Sequence, residues 1–293
     1  MARTKPWEVS DPLWERVAPL LPPPPSHAKG GRPRAPDRPI FAALIYLLRT
    51  GEQWNALPEE FPPSSTVHDR MQEWERQGFF AALWQAGLTE YDEVTGIDWR
   101  WQALDGAMTK APFGGAATGP NPTDRGKRGT KRSLLTDGTG VPLAVVVDGA
   151  NRHDMKLVAA TLEGIVIVRP EPTEAEEQHL CLDAGYDYDA VREETAARGY
   201  TAHIRGRGAE RTEPHPDGKA RRWVVERAHS WLNRSRRLLV RWEKKAENYL
   251  AFVHLGRWMG NGGHAAHRST SACSAFVRLP HFVGARQRAG GTR

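Results

Sequence analysis

Up to about residue 92 the apolar positions recur at helical intervals. In "SDPLWERVAPLL" (10–21) Leu13, Val17, Leu20 and Leu21 fall on one face behind a capping Ser or Asp. "PPPPSHAKGGRPR" (22–34) breaks the pattern with four prolines and a basic, glycine-containing loop. "DRPIFAALIYLLRTG" (37–51) predicts a second helix, with Asp37 as N-cap and Gly51 as stop. "SSTVHDRMQEWERQGFF" (64–80) predicts a third, opened by serines and running to Gly78. A short helix over 79–88 follows. Two helices joined by a short link suit a helix-turn-helix-like module. The 64–77 helix would then read DNA through His68, Arg70, Gln72 and Arg76. A helical bundle that only packs against the rest of the chain fits the same pattern.

From residue 97 the period shortens. "IDWRWQALD" (97–105) alternates and ends on Asp105, and "KRSLLTDGTGVPLAVVVDGA" (131–150) reads as two strands around a "DGTG" turn. Helices are predicted over 154–165, 188–199, 220–242 and 246–256, and strands over 179–183 and 200–206. Strands followed by alternating helix and strand describe an α/β domain, a mixed sheet flanked by helices. The division is an all-α region over 1–92, an α/β domain over 93–258, and an irregular, glycine-rich disordered tail over 259–293.

Charge and composition narrow the partners. The chain carries a formal charge of +6, which favours an anionic partner, nucleic acid first. The two cysteines, Cys181 and Cys273, lie far apart and give neither a zinc spacing nor a disulfide framework. The longest apolar stretch, "IFAALIYLL" (40–48), is too short to span a bilayer, and no signal-peptide core opens the chain. These features predict a soluble, cytoplasmic protein with no membrane partner.

Asp105 and Asp183 each close an apolar strand before a small residue. On adjacent parallel strands both would project from one sheet edge, where ligands of such sheets bind. On the 220–242 helix Arg222, Glu226, His229 and Asn233 form one stripe, with the apolar residues on another. Glu226 alone reads as a surface carboxylate paired with arginines. With the two aspartates it completes a set of hard oxygen donors suited to two Mg²⁺ or Mn²⁺ ions. Without a cation, three converging carboxylates would repel one another.

Basic residues flank this set. Lys127, Arg128, Lys131 and Arg132 lie in "GPNPTDRGKRGTKR" (119–132), and Arg222, Arg227 and Arg234 lie on the long helix, with Trp223, Trp231 and Trp242 interleaved. Together with Arg70 and Arg76 they are the candidate phosphate contacts. Tryptophan on a helix is more often core than a base-stacking surface. In "NRHD" (151–154), His153 could face the site, but a helix cap by Asn151 and Asp154 is the favoured reading. Asp187 and Asp189 read as turn and N-cap residues, and Asp98, Asp137 and Asp148 as strand-edge or turn residues.

The segments "LDGAMTKAP", "GPNPTDRGKRGTKRSLLTDGTGVPLAVVVDGANRHD", "LDAGYD" and "RRWVVERAHSWLNRSRRLLVRWEKKAENYLAF", with "LWERVAPLLPPP" and "GGRPR", together resemble the bacterial insertion-sequence transposases of the DDE type, in the insertion-sequence-five group. The resemblance runs to about residue 256. It implies a ribonuclease H-like catalytic domain, a triad of Asp105, Asp183 and Glu226, and double-stranded DNA as partner at element ends and target site. It also implies synapsis by a homodimer or larger assembly, and association with the nucleoid. A metal-dependent nuclease of the same fold and a DNA-binding copy without catalysis are the alternatives. Around the family's glutamate, Lys219 stands where a Tyr is usual and Asn233 where a Lys is usual. Arg222 matches the usual Arg.

Overall fold

The computed structural model describes residues 5–24, 33–204 and 222–261. Four helices come first: α1 (Asp11–Val17), α2 (Asp37–Thr50), α3 (Ser64–Arg76) and α4 (Phe79–Thr95). The α/β part follows as β1 (Trp101–Lys110), β2 (Gly119–Pro120), β3 (Arg128–Asp137), β4 (Pro142–Gly149), α5 (Val158–Glu163), β5 (Gln178–Leu182), α6 (Asp189–Ala197), β6 (Tyr200–Ile204), α7 (Trp223–Leu232) and α8 (Ala246–Asn261). β4, β3 and β1 form an antiparallel meander, and β5 and β6 extend the sheet from β1 in parallel. β2 pairs with the first residues of β3. This is the mixed sheet flanked by helices that the sequence predicted.

Strand alternation sorts the core onto the two faces of the sheet. Ala103, Leu134, Val145 and Cys181 face a cluster built with α2, α3, α4, α7 and α8. Their neighbours Leu104, Leu135, Ala144, Leu180 and Leu182 face the opposite cluster, closed by α5 and α6. Helix α8 is buried over most of its surface, with Tyr249, Ala251, Phe252, Val253, Leu255 and Trp258 in the core and Asn248, His254 and Arg257 buried beside them. It lies between the N-terminal helices and the sheet, so both halves of the chain share one core. The Trp258 ring packs 6.0 Å from Phe41 and fills the space that a side chain at Gly87 would need.

Several boundaries differ from expectation. β1 does not end at Asp105 but runs five residues further, because its pairing with β3 continues to Lys110↔Gly129. Asp37 is the first residue of α2 rather than its cap, and pairs with Arg70 of α3; Pro36 holds the cap position. No serine side chain caps α3, which begins behind Pro63. α4 runs on to Thr95. The helix expected over 220–242 stops at Leu232. Beyond it, Arg237 turns inward to pair with buried Glu243 at 2.7 Å, and Val240 bridges Lys110. Those tertiary contacts outweigh helix propensity. α8 continues through residues 257–261, past the expected helix end at 256 and, at 259–261, into the expected tail; 262–293 lie outside the described residues, as do 205–206 at the end of the predicted last strand.

Removing the ring that joins the two halves tests this shared core. Trp258→Ala is expected to cost about 3–5 kcal/mol, read by denaturant unfolding. Because one core serves both halves, loss of α-helical and sheet signals should stay coincident.

Candidate active site

β5 pairs with β1 in parallel through Trp101↔His179, Gln102↔Leu180 and Ala103↔Cys181. The same offset carried forward brings Asp105 alongside Asp183, one residue past the end of β5. Ala103 and Cys181 lie on the face that α7 covers, so by alternation both carboxylates belong to that face. Asp183 also shapes the turn that follows β5. Its backbone is extended, and Oδ1 accepts the Gly185 N–H at 2.7 Å. Oδ2 is left toward Arg222, whose Nη1 is 3.9 Å away. Arg222, at the N-cap of α7, also donates to Glu226 Oε1 through Nη2 at 2.8 Å and Nε at 3.2 Å. One guanidinium thus links Asp183 and Glu226.

Asp105 feels this gathering of charge. Burial pushes its pKa up to about 6, and the nearby Asp183 and Glu226 carboxylates add to the rise. The Gly106 backbone N–H and the Arg222 charge oppose it. Helix α7 is fixed to β1 at the same residue. His229 is buried, and its Nε2 lies 3.3 Å from the Asp105 carbonyl oxygen. Burial and the Arg132 charge push the His229 pKa down to about 3, so the ring is neutral and Nε2–H donates to that carbonyl. The sequence stripe placed His229 beside Glu226 but gave it no role; its i+3 spacing from Glu226 was the available signal. Behind the strand, Asp154 pairs with Lys131 at 2.9 Å. A Cβ at Gly106 would come within 2.2 Å of Asp154 Oδ1, so a side chain there would have to displace the carboxylate that holds Lys131.

Among the described residues, no three His, Cys, Asp or Glu side chains stand ready-made around a cation. The donor chemistry nevertheless fits one: three carboxylates, hard oxygen donors, with an arginine supplying positive charge between two of them and a third whose ionisation is suppressed.

With this geometry in view, two family models match the chain. "Putative transposase of IS4/5 family" covers residues 9–84, and "Transposase DDE domain" covers residues 101–255, more than half of the chain. The chain belongs to the DDE transposases. A relative described as "Putative transposase for insertion sequence element IS402", from Burkholderia cepacia, is 37% identical over 148 residues, covering 49% of this chain and 68% of the relative. "Insertion element IS402 uncharacterized 16.2 kDa protein", from the same organism, is 30% identical over 39% of this chain and 80% of its own length. Among solved structures, "Crystal structure of the Mos1 Strand Transfer Complex" aligns with 81% of this chain and 78% of that chain. At 14% identity and a TM-score of 0.29, that likeness is too weak to bear on fold or site.

The basic residues of the transposase divide by burial. Arg76, Lys127, Arg128 and Arg234 are exposed, and Arg222 and Arg227 are half-buried. Arg227 stacks 4.4 Å from the Trp223 ring and Arg234 3.6 Å from Trp231. Three expected phosphate contacts are instead internal. Arg70 is buried between Asp37 and Glu73, Lys131 is held by Asp154 and the Arg152 carbonyl, and Arg132 donates to Asn233 Oδ1 at 2.8 Å. Their side chains meet acceptors inside the fold before they could reach a phosphate. In α3, His68 packs edge-on against Trp54 and Gln72 accepts from Lys245, leaving Ser65, Asp69 and Arg76 outward. The "NRHD" segment is no side-chain cap, since Asp154 pairs with Lys131 and His153 meets the Tyr188 hydroxyl at 3.3 Å. Asp137 does organise its turn, accepting from Thr139 and Val141. Lys219 and the other basic residues over 205–221 lie outside the described residues, and no described helix is long and apolar enough to cross a membrane.

An acid whose pKa is raised on folding destabilises the folded state wherever it is ionised. For Asp105 the penalty is absent below its ordinary value of 3.8, grows as pH climbs toward about 6, and is full above that. In chelator-treated protein, Asp105→Asn should therefore stabilise by about 1–3 kcal/mol at pH 7.5. The gain should shrink steadily as pH falls below 6, measured by denaturant unfolding at several pH values.

Proposed function

We propose that this transposase recognises the ends of its own element through the N-terminal helices, residues 1–92. The α/β domain, 93–258, would then cut and join DNA. The observation that carries the reading is the parallel β1–β5 register, which sets Asp105 beside Asp183 on the face where Arg222 links Asp183 to Glu226. Asp105, Asp183 and Glu226 would hold two Mg²⁺ or Mn²⁺ ions. When bound, such a pair activates an attacking oxygen and stabilises the leaving one in phosphoryl transfer.

The chain's own groups supply the rest. His229 keeps α7 seated on β1 so that Glu226 stays within range of Asp105. Arg222 borders the carboxylates and would orient the scissile phosphate, while Arg227, held on the Thr139 carbonyl and the Trp223 ring, would contact DNA beside the turn at 137–140. Exposed Lys127, Arg128, Arg234 and Arg76 would neutralise backbone phosphates on either side. Hydrolysis of one strand leaves a 3′-hydroxyl, which attacks a phosphodiester of the target and joins element to target as the target strand breaks. Bringing two ends together calls for at least a homodimer on DNA.

Purified protein with the DNA flanking its coding sequence, in Mn²⁺ or Mg²⁺, tests the proposal. Nicks at the element ends and strand-transfer products are expected, and Asp105→Asn, Asp183→Ala or Glu226→Gln should each reduce them to background while DNA binding persists. Nicking without joined products would make the protein a nuclease. End binding without cutting under either cation would sink the assignment of the triad.

A further inference from the structure

Exposing a large aromatic ring to water forgoes burial worth a few kcal/mol, yet Phe113 and Trp242 are 61% and 40% exposed and packed together, ring centroids 5.4 Å apart. They border an open cleft of about 500 Å³ between the chain at 51–55 and the chain at 237–242. That size falls within the range of about 300–1,000 Å³ typical of small-ligand sites. Trp54 adds a third ring to its wall, with the Arg237 guanidinium 5.0 Å above it.

The platform is built rigidly. Arg241 is buried and donates to the carbonyls of Ala116, Ala117, Glu243 and Lys244 and to Thr130 Oγ1. It thereby ties the loop after Phe113 to the segment bearing Trp242. Gly115, at φ +106°, lets the Lys244 carbonyl approach to where a Cβ would clash at 2.1 Å. Exposed basic residues lie next to the cleft: Arg236 abuts Gly51 through its Cβ and backbone, the Arg128 side chain reaches Gly114 beside Phe113, and Lys244 follows Trp242 by two residues with its backbone against Gly115. Glu52 is the acidic member, since Glu243 is already engaged by Arg237.

We infer that this cleft receives an unpaired base of the DNA strand, stacked on Phe113 and Trp242 while Arg128, Arg236 and Lys244 take the adjoining phosphates. Aromatic faces accept any base, and exposed Arg128, Arg236 and Lys244 next to the cleft suit a polyanionic chain better than a neutral ligand. The inference rests on the DNA-acting function proposed above. The Arg241 N–H bonds to the Lys110 carbonyl at 2.8 Å, placing the platform at the far end of β1 from Asp105. Five strand residues are about 16 Å, so the stacked base belongs to a nucleotide several positions from the one being cut.

The test compares the full chain with Trp242→Ala/Phe113→Ala and with Trp242→Phe. The probes are a single-stranded oligothymidylate, the same oligonucleotide carrying 5-iododeoxyuridine for photocrosslinking, and a random-sequence duplex. Single-strand affinity should fall about 10-fold or more in the double variant, with duplex affinity held within about twofold and Trp242→Phe close to wild type. Crosslinks should map to the peptides bearing Phe113 or Trp242. Unchanged single-strand affinity in the double variant, or crosslinks confined elsewhere, would overturn the base site and leave the DNA function standing. A wild-type protein that binds neither form of DNA would overturn both.

Discussion

Three backbone pairings between β1 and β5 fix the candidate site of this transposase. Because parallel strands hold one offset along their length, matching Ala103 to Cys181 commits Asp105 to lie beside Asp183, and the two-residue repeat commits both carboxylates to one face. A slip by one residue would turn one aspartate into the opposite core, among Leu104, Leu180 and Leu182. The apolar residues of both strands therefore do more than pack. They lock the register that brings together two like charges; burial of Asp105 raises its pKa, and the Asp183 charge adds to that rise.

A basic chain invites the view that its arginines face DNA. Here a large share hold the protein together. Arg132, Arg237, Arg241 and Arg257 are among the largest fully buried side chains. A guanidinium is costly to bury unless its donors find acceptors. Arg241 has them in full and Arg237 has Glu243. Arg257 donates to the Ala144 carbonyl and packs 4.4 Å from the Trp84 ring, while its charge is disfavoured by burial. These groups link segments distant in sequence: the loop after β1 to the chain beyond α7, and α8 to β4. The positive charge left for a polyanion is the exposed remainder, Arg76, Lys127, Arg128, Arg234, Arg236 and Lys244 among it.

Helix α8 has a comparable linking role through apolar contact. It buries rings against α2 and α4 on one side and packs toward β4 and α7 on the other. The N-terminal helices are thus braced against the layer that carries Glu226.

Residue order alone made most of the elements and one candidate set of carboxylates legible. Hydrophobic period separated the helical region from the sheet, the turn at 137–140 was legible from its Asp-Gly residues, and three carboxylates in distinctive motifs stood out as a set. Those features are local, so residue order encodes them. Tertiary structure decided what depends on distant partners: that β1 runs past Asp105 because β3 keeps pairing with it, and that the long helix ends at Leu232 because Arg237 and Val240 find partners elsewhere. It decided that Arg70, Lys131 and Arg132 are structural while Arg128 and Arg234 face water, and that a neutral His229 pins α7 to Asp105. Charge can be counted along a chain, but whether it meets an acceptor inside the fold or a phosphate outside it is settled only when the segments pack.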